Sequence, residues 1–337
     1  MAAPLAVTMG EPAGIGGDIT LMAWGAAADG ALPPFFVIDD ADRLEALATR
    51  LGLVPAVARI DRPEMAPDVF AHALPVLHRP LPRPVEPGRP SAGNAAAVVA
   101  AIEEAVAFAG DGRAAAVVTN PINKKVLYEA NFRFPGHTEF LAALAGGVPV
   151  AMMLASEQLR VVPVTVHVSL RDAIAALTTA KIVACGRLVA SALARDFGIL
   201  HPRLAVAGLN PHAGEQGTMG DEDARIIVPA VAALCAEGIA ATGPLPPDTM
   251  FHAAARATYD AALCMYHDQA LIPLKTLDFD GGVNVTLGLP FVRTSPDHGT
   301  AFDVAGTGRA RPTSLIAALR LAARIADHRA ATSAAHA

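Results

Sequence analysis

Short apolar runs alternate along the chain with longer stretches in which apolar residues recur every three or four positions. Leu5–Thr8 reads as a first strand, followed by a glycine-rich turn, and Phe35–Ile38 reads as a second. Pro75 to Pro90 holds six prolines and predicts an irregular connection or edge excursion, because proline cannot donate to a ladder. Asn94–Ala109 predicts a helix with Glu103 and Glu104 on its polar side. Ala114–Thr119 predicts a strand that stops at Asn120-Pro121. The rhythm then repeats, with strands over Arg160–Val168, Leu204–Leu209, Tyr259–Tyr266 and Val283–Leu287. Helices are predicted over Thr178–Phe197, Asp221–Glu237 and Thr313–Arg329, with a frayed tail from Ala330 to Ala337. Strands alternating with helices of this length predict a layered α/β fold.

The 337 residues suffice for one large α/β unit or two ordinary domains. With 53% hydrophobic and 17% charged residues and a mean hydropathy of +0.39, the chain can bury a large core, which excludes a disordered protein. The net charge of −6 and the lack of any basic block argue against nucleic acid as a partner. A membrane span is not expected either. The longest apolar stretch, Leu141–Ala155, is interrupted by Gly146, Gly147 and Pro149 and falls short of the roughly 20 residues a span needs. The first basic residue is Arg43, so no signal peptide is read. Cys185, Cys235 and Cys264 form no CxxC pair and lie in apolar surroundings, which predicts buried, reduced thiols in a cytoplasmic protein.

Three histidines share one local context. His167 ends the run Val161–Val166, His212 follows Leu204–Leu209, and His267 ends Ala261–Tyr266. Each is placed where a buried strand opens into a loop, and in α/β sheets the ligand crevice lies beyond the carboxyl ends of the strands. Three imidazoles arriving from separate strands can hold a divalent transition ion and leave positions open for a substrate. A lone histidine beside a strand is more often a hydrogen-bonded structural residue. No HExxH-type spacing sharpens the metal reading.

Other polar residues punctuate the same framework. Pro135-Gly136-His137-Thr138-Glu139 precedes an apolar helix that starts near Phe140, with Thr138 able to cap it and to face an anion. Lys275, one of only four lysines, sits in the apolar stretch Leu271–Leu277, either snorkelling or paired with an anion. Together with Asn284 and Arg293 it suits a phosphate clamp; singly, each is an ordinary surface polar residue. The turn Gly10–Asp18 invites a dinucleotide reading but is not GxGxxG, and no P-loop or GxSxG elbow is present.

Taken in order, Gly10–Gly16, Thr119–Lys124, Pro135–Glu139, Gly208–Glu215, Tyr266–Gln269 and Thr294–Ala301 resemble the 4-hydroxythreonine-4-phosphate dehydrogenase family of vitamin B6 (pyridoxine) biosynthesis, from first strand to last helix. The resemblance implies a three-layer α/β/α fold with a mixed sheet, like isocitrate and isopropylmalate dehydrogenases, and two intertwined subdomains. These are placed at about 1–125 plus 275–337 and at 126–274. It implies an NAD- or NADP-dependent oxidoreductase acting on a CH–OH group, without a Rossmann fingerprint, and a homodimer with its site at the interface. By resemblance, His167, His212 and His267 match the ligands of a divalent metal (zinc, cobalt or magnesium), with His267 supplied by the partner subunit. His137, Thr138, Lys275, Asn284 and Arg293 match substrate-binding positions, and Asp248 an acidic residue near the metal; His212, Lys275 and Asp248 are the catalytic candidates. The family commonly reads GDPAGIGPE at the first turn, where this chain has Glu11 and Gly17-Asp18.

The implied reaction is metal-assisted hydride transfer from 4-phosphooxy-L-threonine to NAD, followed by decarboxylation of the resulting β-keto acid. The proton acceptor is left open among a metal-bound water, Asp248 and Lys275. The nearest alternative keeps the chemistry and moves it to threonate or erythronate 4-phosphate. An inactive metal-binding module and a phosphoacyltransferase are more distant alternatives.

Overall fold

The computed structural model describes residues 3–27, 32–54 and 56–336. In chain order the elements are β1 (Leu5–Thr8), α1 (Gly16–Gly25), β2 (Phe35–Asp39), α2 (Ala41–Arg50), β3 (Val57–Ile60), α3 (Ala66–Phe70), β4 (Leu74–His78), α4 (Ala95–Gly110), β5 (Ala116–Thr119), α5 (Lys124–Glu129) and α6 (His137–Leu144). They continue as β6 (Ala151–Ala155), β7 (Arg160–Pro163), α7 (Leu170–Ala176), α8 (Thr179–Phe197), β8 (Arg203–Ala207), α9 (Val228–Ala236), β9 (Ala240–Leu245) and α10 (Ala253–Arg256). Last come β10 (Ala261–Cys264), α11 (His267–Leu277), β11 (Val283–Leu287), β12 (Arg293–Pro296) and α12 (Thr313–His336). The chain divides into two compact units: Met1–Val148 with Leu289–Asp327, and Pro149–Gly288 with His328–Ala337. The segment 126–148 therefore belongs with the first unit, where α6 packs on α4, and 275–288 belongs with the second.

In the first unit the strands run β3-β4-β2-β1-β5-β12, all parallel. Parallel strands covered on both faces read as continuous apolar runs rather than alternating ones. Leu5–Thr8, Phe35–Asp39 and Ala116–Thr119 are buried at every position. Phe35 packs edge-on against Phe70 at 4.9 Å and Phe36 against Phe108 at 6.0 Å, which fastens α3 and α4 to β2. After β1 the chain moves to β2 on one side, and later to β5 on the other. The carboxyl ends of β1 and β5 thus diverge, and a crevice opens at such a switch point. Gly10, at φ +66°, makes the tight turn there; a Cβ on it would stand 2.7 Å from Asn120 Cβ and from Pro121 O. Helix α4 lies within Ala92–Gly110, a stretch long and apolar enough to cross a membrane by composition. Its Val98, Ile102, Ala105 and Phe108 are buried in the core.

The second unit carries the mixed sheet. Its order is β11-β6-β7-β10-β8-β9, with β6 antiparallel to both neighbours and β7, β10, β8 and β9 parallel. Its core includes Met152, Leu154, Val161, Ala205, Ala262, Leu271 and Leu274. Helix α8 starts on Thr178, whose side chain accepts from Lys181 N, and ends on Gly198 at φ +68°.

Several expected boundaries move. Pro75 lies inside β4, which pairs with both β2 and β3, so the irregular connection starts only after His78. The strand expected over Arg160–Val168 ends at Pro163, because Val164 N and Thr165 Oγ1 turn toward Cys264 O and Met265 O and His167 takes a left-handed φ of +52°. The strands expected to reach Leu209 and Tyr266 end at Ala207 and Cys264. Asp221–Glu237 is a π turn over Asp223–Ile227 followed by α9. Leu141–Ala155 is the end of α6, a turn at Gly146-Gly147 and then β6. The expected frayed tail continues α12 as far as His336, and Ala337 lies outside the described residues. Cys235 is exposed rather than buried, although its Sγ donates to Ala241 O at 3.2 Å.

Candidate functional site

In the first unit, buried polar groups gather where β1, β5 and β12 end. Arg293 is the first residue of β12, 3% exposed, and its Nη2 donates to Thr119 Oγ1 at 2.7 Å. Burial pushes its guanidinium down to about 10, so it stays charged at neutral pH. Asn120 donates to Thr8 O and to Thr20 Oγ1. Among the described residues, Thr8 Oγ1, Asn120 Oδ1, His137 Nε2 and His298 Nε2 are buried without a hydrogen-bond partner. Such groups are costly unless a ligand or water satisfies them.

His137 opens α6, with Gly136 as its N-cap; Thr138 is the second helical residue and not the cap expected from the sequence. Burial, reinforced by the charges of Arg293 and Lys124, holds the His137 imidazole well below its usual pKa. It is neutral at pH 7 and stands at a helix N-terminus, where backbone N–H groups favour anions. The two departures in the first turn also have roles. Glu11 accepts from Ala13 N at 3.2 Å and Asp18 from Gly306 N at 2.8 Å. Gly17 lets α1 approach α2, since a Cβ there would stand 2.7 Å from Leu47 Cδ2.

The second unit holds the three histidines. His167 and His267 line one cleft of about 290 Å³ with Thr165, Tyr266 and Asp268, and their ring centres are 5.8 Å apart. Two imidazoles that each face one ion at about 2.0–2.1 Å have ring centres roughly 5–6 Å apart, a spacing that this pair shows. His267 does not end a strand that opens into a loop, as expected; it is the first residue of α11. Its Nδ1 lies 2.7 Å from Asp268 Oδ1. A carboxylate there accepts a hydrogen bond from Nδ1–H and leaves Nε2 as the ligating lone pair.

His212 is not part of that cleft, and the three histidines do not bring their nitrogens within a single coordination sphere. Residues 212 to 216 form a run at positive φ, from +40° to +76°. Four of the five are not glycine, a strained arrangement that persists only where surroundings enforce it. Asp223 does so: its carboxylate accepts from Leu209 N at 2.8 Å, Asn210 N at 3.0 Å and Asn210 Nδ2 at 2.9 Å.

Lys275 is in the last turn of α11 with Nζ 5.6 Å from the Phe279 ring centre. Asn284 lies inside β11, within the strand expected over Val283–Leu287. Asp248 is exposed, in the turn after β9. Among the described residues, one group places three potential ligands within 4.8 Å of one another: Asp40, Asp42 and His78. These atoms are already engaged. Asp40 caps α2 through Asp42 N and Arg43 N and accepts from Leu81 N; His78 Nδ1 accepts from Ala41 N; Asp42 pairs with Arg59. The group is a helix cap.

Sequence reasoning passed over Asp223 and Gln269. Asp223 is hidden in the polar run Gly220–Arg225, whereas Gln269 has a visible signal, a glutamine heading an apolar helical stretch.

With this geometry in place, comparison with known proteins identifies the lineage. Residues 31–322 match the family described as "Pyridoxal phosphate biosynthetic protein PdxA". The chain is 58% identical to the 4-hydroxythreonine-4-phosphate dehydrogenase of Methylorubrum populi, over 96% of this chain and 95% of that one. It is 56% identical to that of Xanthobacter autotrophicus, over 96% and 94%. The crystal structure of the Klebsiella pneumoniae 4-hydroxythreonine-4-phosphate dehydrogenase superposes with a TM-score of 0.88 at 42% identity, covering 96% of this chain and all of that one. The chain belongs to the PdxA family of pyridoxal phosphate biosynthetic proteins.

Proposed function

We propose that this chain oxidises the secondary alcohol of 4-phosphooxy-L-threonine with NAD, giving 2-amino-3-oxo-4-phosphooxybutyrate, which loses CO₂ to leave 3-amino-2-oxopropyl phosphate. The observation that carries this reading is similarity over nearly the whole chain to proteins named for that dehydrogenase activity. In this reading the enzyme is a cytoplasmic homodimer with sites at the subunit interface.

His167 and His212, with His267 supplied by the partner subunit, would hold a divalent ion (zinc, cobalt or magnesium), which would supply Lewis acidity that makes the alcohol a better hydride donor. The side chains do the rest. Arg293, charged and buried, binds one anionic end of the substrate. His137, neutral and with a buried, unpartnered Nε2, sits with Thr138 at the start of α6 and receives a phosphate oxygen. Lys275, in the last turn of α11, and Asn284, in β11, are the remaining substrate-binding residues of this reading. Fixing both ends removes orientational freedom before hydride leaves carbon 3 for the nicotinamide. Asp248 and Lys275 are the side chains of this set able to take the hydroxyl proton.

The test is NADH formation by purified protein with NAD and 4-phosphooxy-L-threonine, before and after EDTA and with Zn²⁺, Co²⁺ or Mg²⁺ restored; NADP is run in parallel. Activity removed by EDTA and restored by metal supports the substrate and the ion together. Turnover only with threonate or erythronate 4-phosphate keeps the chemistry and moves the substrate.

A further inference from the structure

At the carboxyl ends of β7, β10, β8 and β9, a row of hydrogen bonds continues across the second unit's sheet after the strands have stopped. Thr165 Oγ1 donates to Met265 O at 2.8 Å. Met265 N donates to Gln269 Oε1 at 2.6 Å, and Gln269 Nε2 donates to Gly208 O at 2.7 Å. Gly208 N in turn donates to Leu245 O at 2.8 Å. The row follows the strand order and ties the loops after β7, β10 and β8 to one another and to the end of β9.

The middle of the row is unusual. The last ladder pair of β10 and β8 is Leu263 with Val206. Two residues further, Met265 N and Gly208 O no longer bond to each other, and the carboxamide of Gln269 stands between them. It accepts on one side and donates on the other, as a peptide group does. Gln269 is 7% exposed and sits on the first turn of α11. Its amide replaces one rung of the sheet.

Each anchor of the row is close in sequence to a candidate site residue. Thr165 and Met265 each stand two residues before a histidine, His167 and His267; Gly208 is four before His212, and Leu245 is three before Asp248. We propose that Gln269 is a positioning residue whose carboxamide fixes the loops that carry His267 and His212 to the end of the sheet, with Thr165 fixing the loop of His167. The assignment rests on the reading of these histidines as metal ligands. Outer-shell partners of this kind typically change metal affinity by about 10- to 100-fold when lost.

The test uses the full chain and Co²⁺ as probe. Gln269→Met keeps the side chain's approximate volume but leaves Met265 N and Gly208 O buried and unsatisfied. The expected result is Co²⁺ affinity lowered about tenfold or more, with an altered visible absorption band. Amide hydrogen exchange over 208–213 and 265–268 should rise in the metal-free protein as well. Gln269→Glu keeps the acceptor toward Met265 N and should fall between the two. Wild-type affinity and spectrum in Gln269→Met overturn the proposal, even if that variant melts at lower temperature. Should it fail to fold, Thr165→Val carries the test from the other end of the row: a smaller loss of Co²⁺ affinity supports the proposal and no loss overturns it. His212→Ala is measured alongside. Unchanged Co²⁺ binding there sinks the ligand reading, whereas unchanged exchange in Gln269→Met sinks the positioning role by itself.

Discussion

The rings of His167 and His267 stand 5.8 Å apart, centre to centre, and inclined by 43°. Asp268 supports one of the two, through the 2.7 Å contact to His267 Nδ1. For His267 as a metal ligand the carboxylate matters because it fixes the tautomer and raises the basicity of the ligating nitrogen. Asp268→Asn preserves shape but removes the charge. It is expected to weaken Zn²⁺ or Co²⁺ binding about tenfold in competition with a chromophoric chelator. His267→Ala is expected to weaken it further; equal affinity in both variants would count against His267 as a ligand.

His137 makes stability depend on pH. Its folded pKa is held below the unfolded value of about 6.5, so below that pH the unfolded chain binds a proton that the folded chain refuses. The contribution is complete above pH ~6.5 and is lost as pH falls toward the folded pKa. One such proton gives a slope of at most about 1.4 kcal/mol per pH unit. Urea unfolding of wild type and His137→Gln at pH 7 and pH 5 should therefore show a steeper decline in the wild type. Parallel lines would remove His137 from the account.

Asp39 and Arg43 form a buried ion pair, with side-chain exposures of 1% and 9%. Arg43 also donates to Pro12 O at 2.9 Å, tying α2 to the first turn. Removing one partner strands the other charge. Arg43→Met is expected to cost about 3–5 kcal/mol in chemical denaturation. The double variant Asp39→Asn/Arg43→Met should cost less than Arg43→Met alone, because no charge is left buried.

Gly10→Ala tests the turn that closes the crevice at β1. The substitution meets a left-handed φ and two contacts at 2.7 Å. A loss of more than about 1 kcal/mol is expected, since alanine at positive φ is strained even in open space. Thermal unfolding would show it; an unchanged midpoint would mean the turn relaxes freely.

The thiols should separate by reactivity. Burial pushes Cys185 up to about 12 and raises Cys264 as well, so neither offers thiolate at neutral pH. Cys235 is exposed. A disulfide reagent on native protein should label one thiol per chain rapidly, and Cys235→Ser should abolish that phase.

The parts of the fold visible in the sequence are those where local pattern and tertiary environment agree. Leu5–Thr8, Val283–Leu287 and the helix ending at Phe197 are uniform in character and appear with nearly the bounds expected. Strands β3, β6, β9 and β12 were not expected, the last two for a clear reason. Ala240–Leu245 contains Gly243-Pro244, and Arg293–Pro296 is Arg-Thr-Ser-Pro, buried at all four positions although polar. Only the neighbouring strand makes such a sequence extended, and a single chain pattern carries no record of that neighbour. The resemblance sets His167 and His212 with His267 of the partner subunit, whereas within one chain it is His167 and His267 that line one cleft. His212 lies on a left-handed loop outside it. Its loop is shaped by Asp223, eleven residues away, through contacts that no residue spacing encodes.

The order in which the first unit is assembled from the chain has a consequence for synthesis. Its strand β5 pairs on one side with β1, which is made early, and on the other with β12, which begins at Arg293. On the ribosome, β5 is therefore an open edge while more than half of the chain is still being made, its Val117 N waiting for Val292 O. Exposed edges of parallel apolar strands recruit other strands. The second unit's sheet, by contrast, comes from the contiguous segment Pro149–Gly288 and can close as soon as that segment has emerged. Nascent chains halted before residue 289 should thus present a finished second sheet and an unfinished first one, and the first is where chaperone protection would be needed.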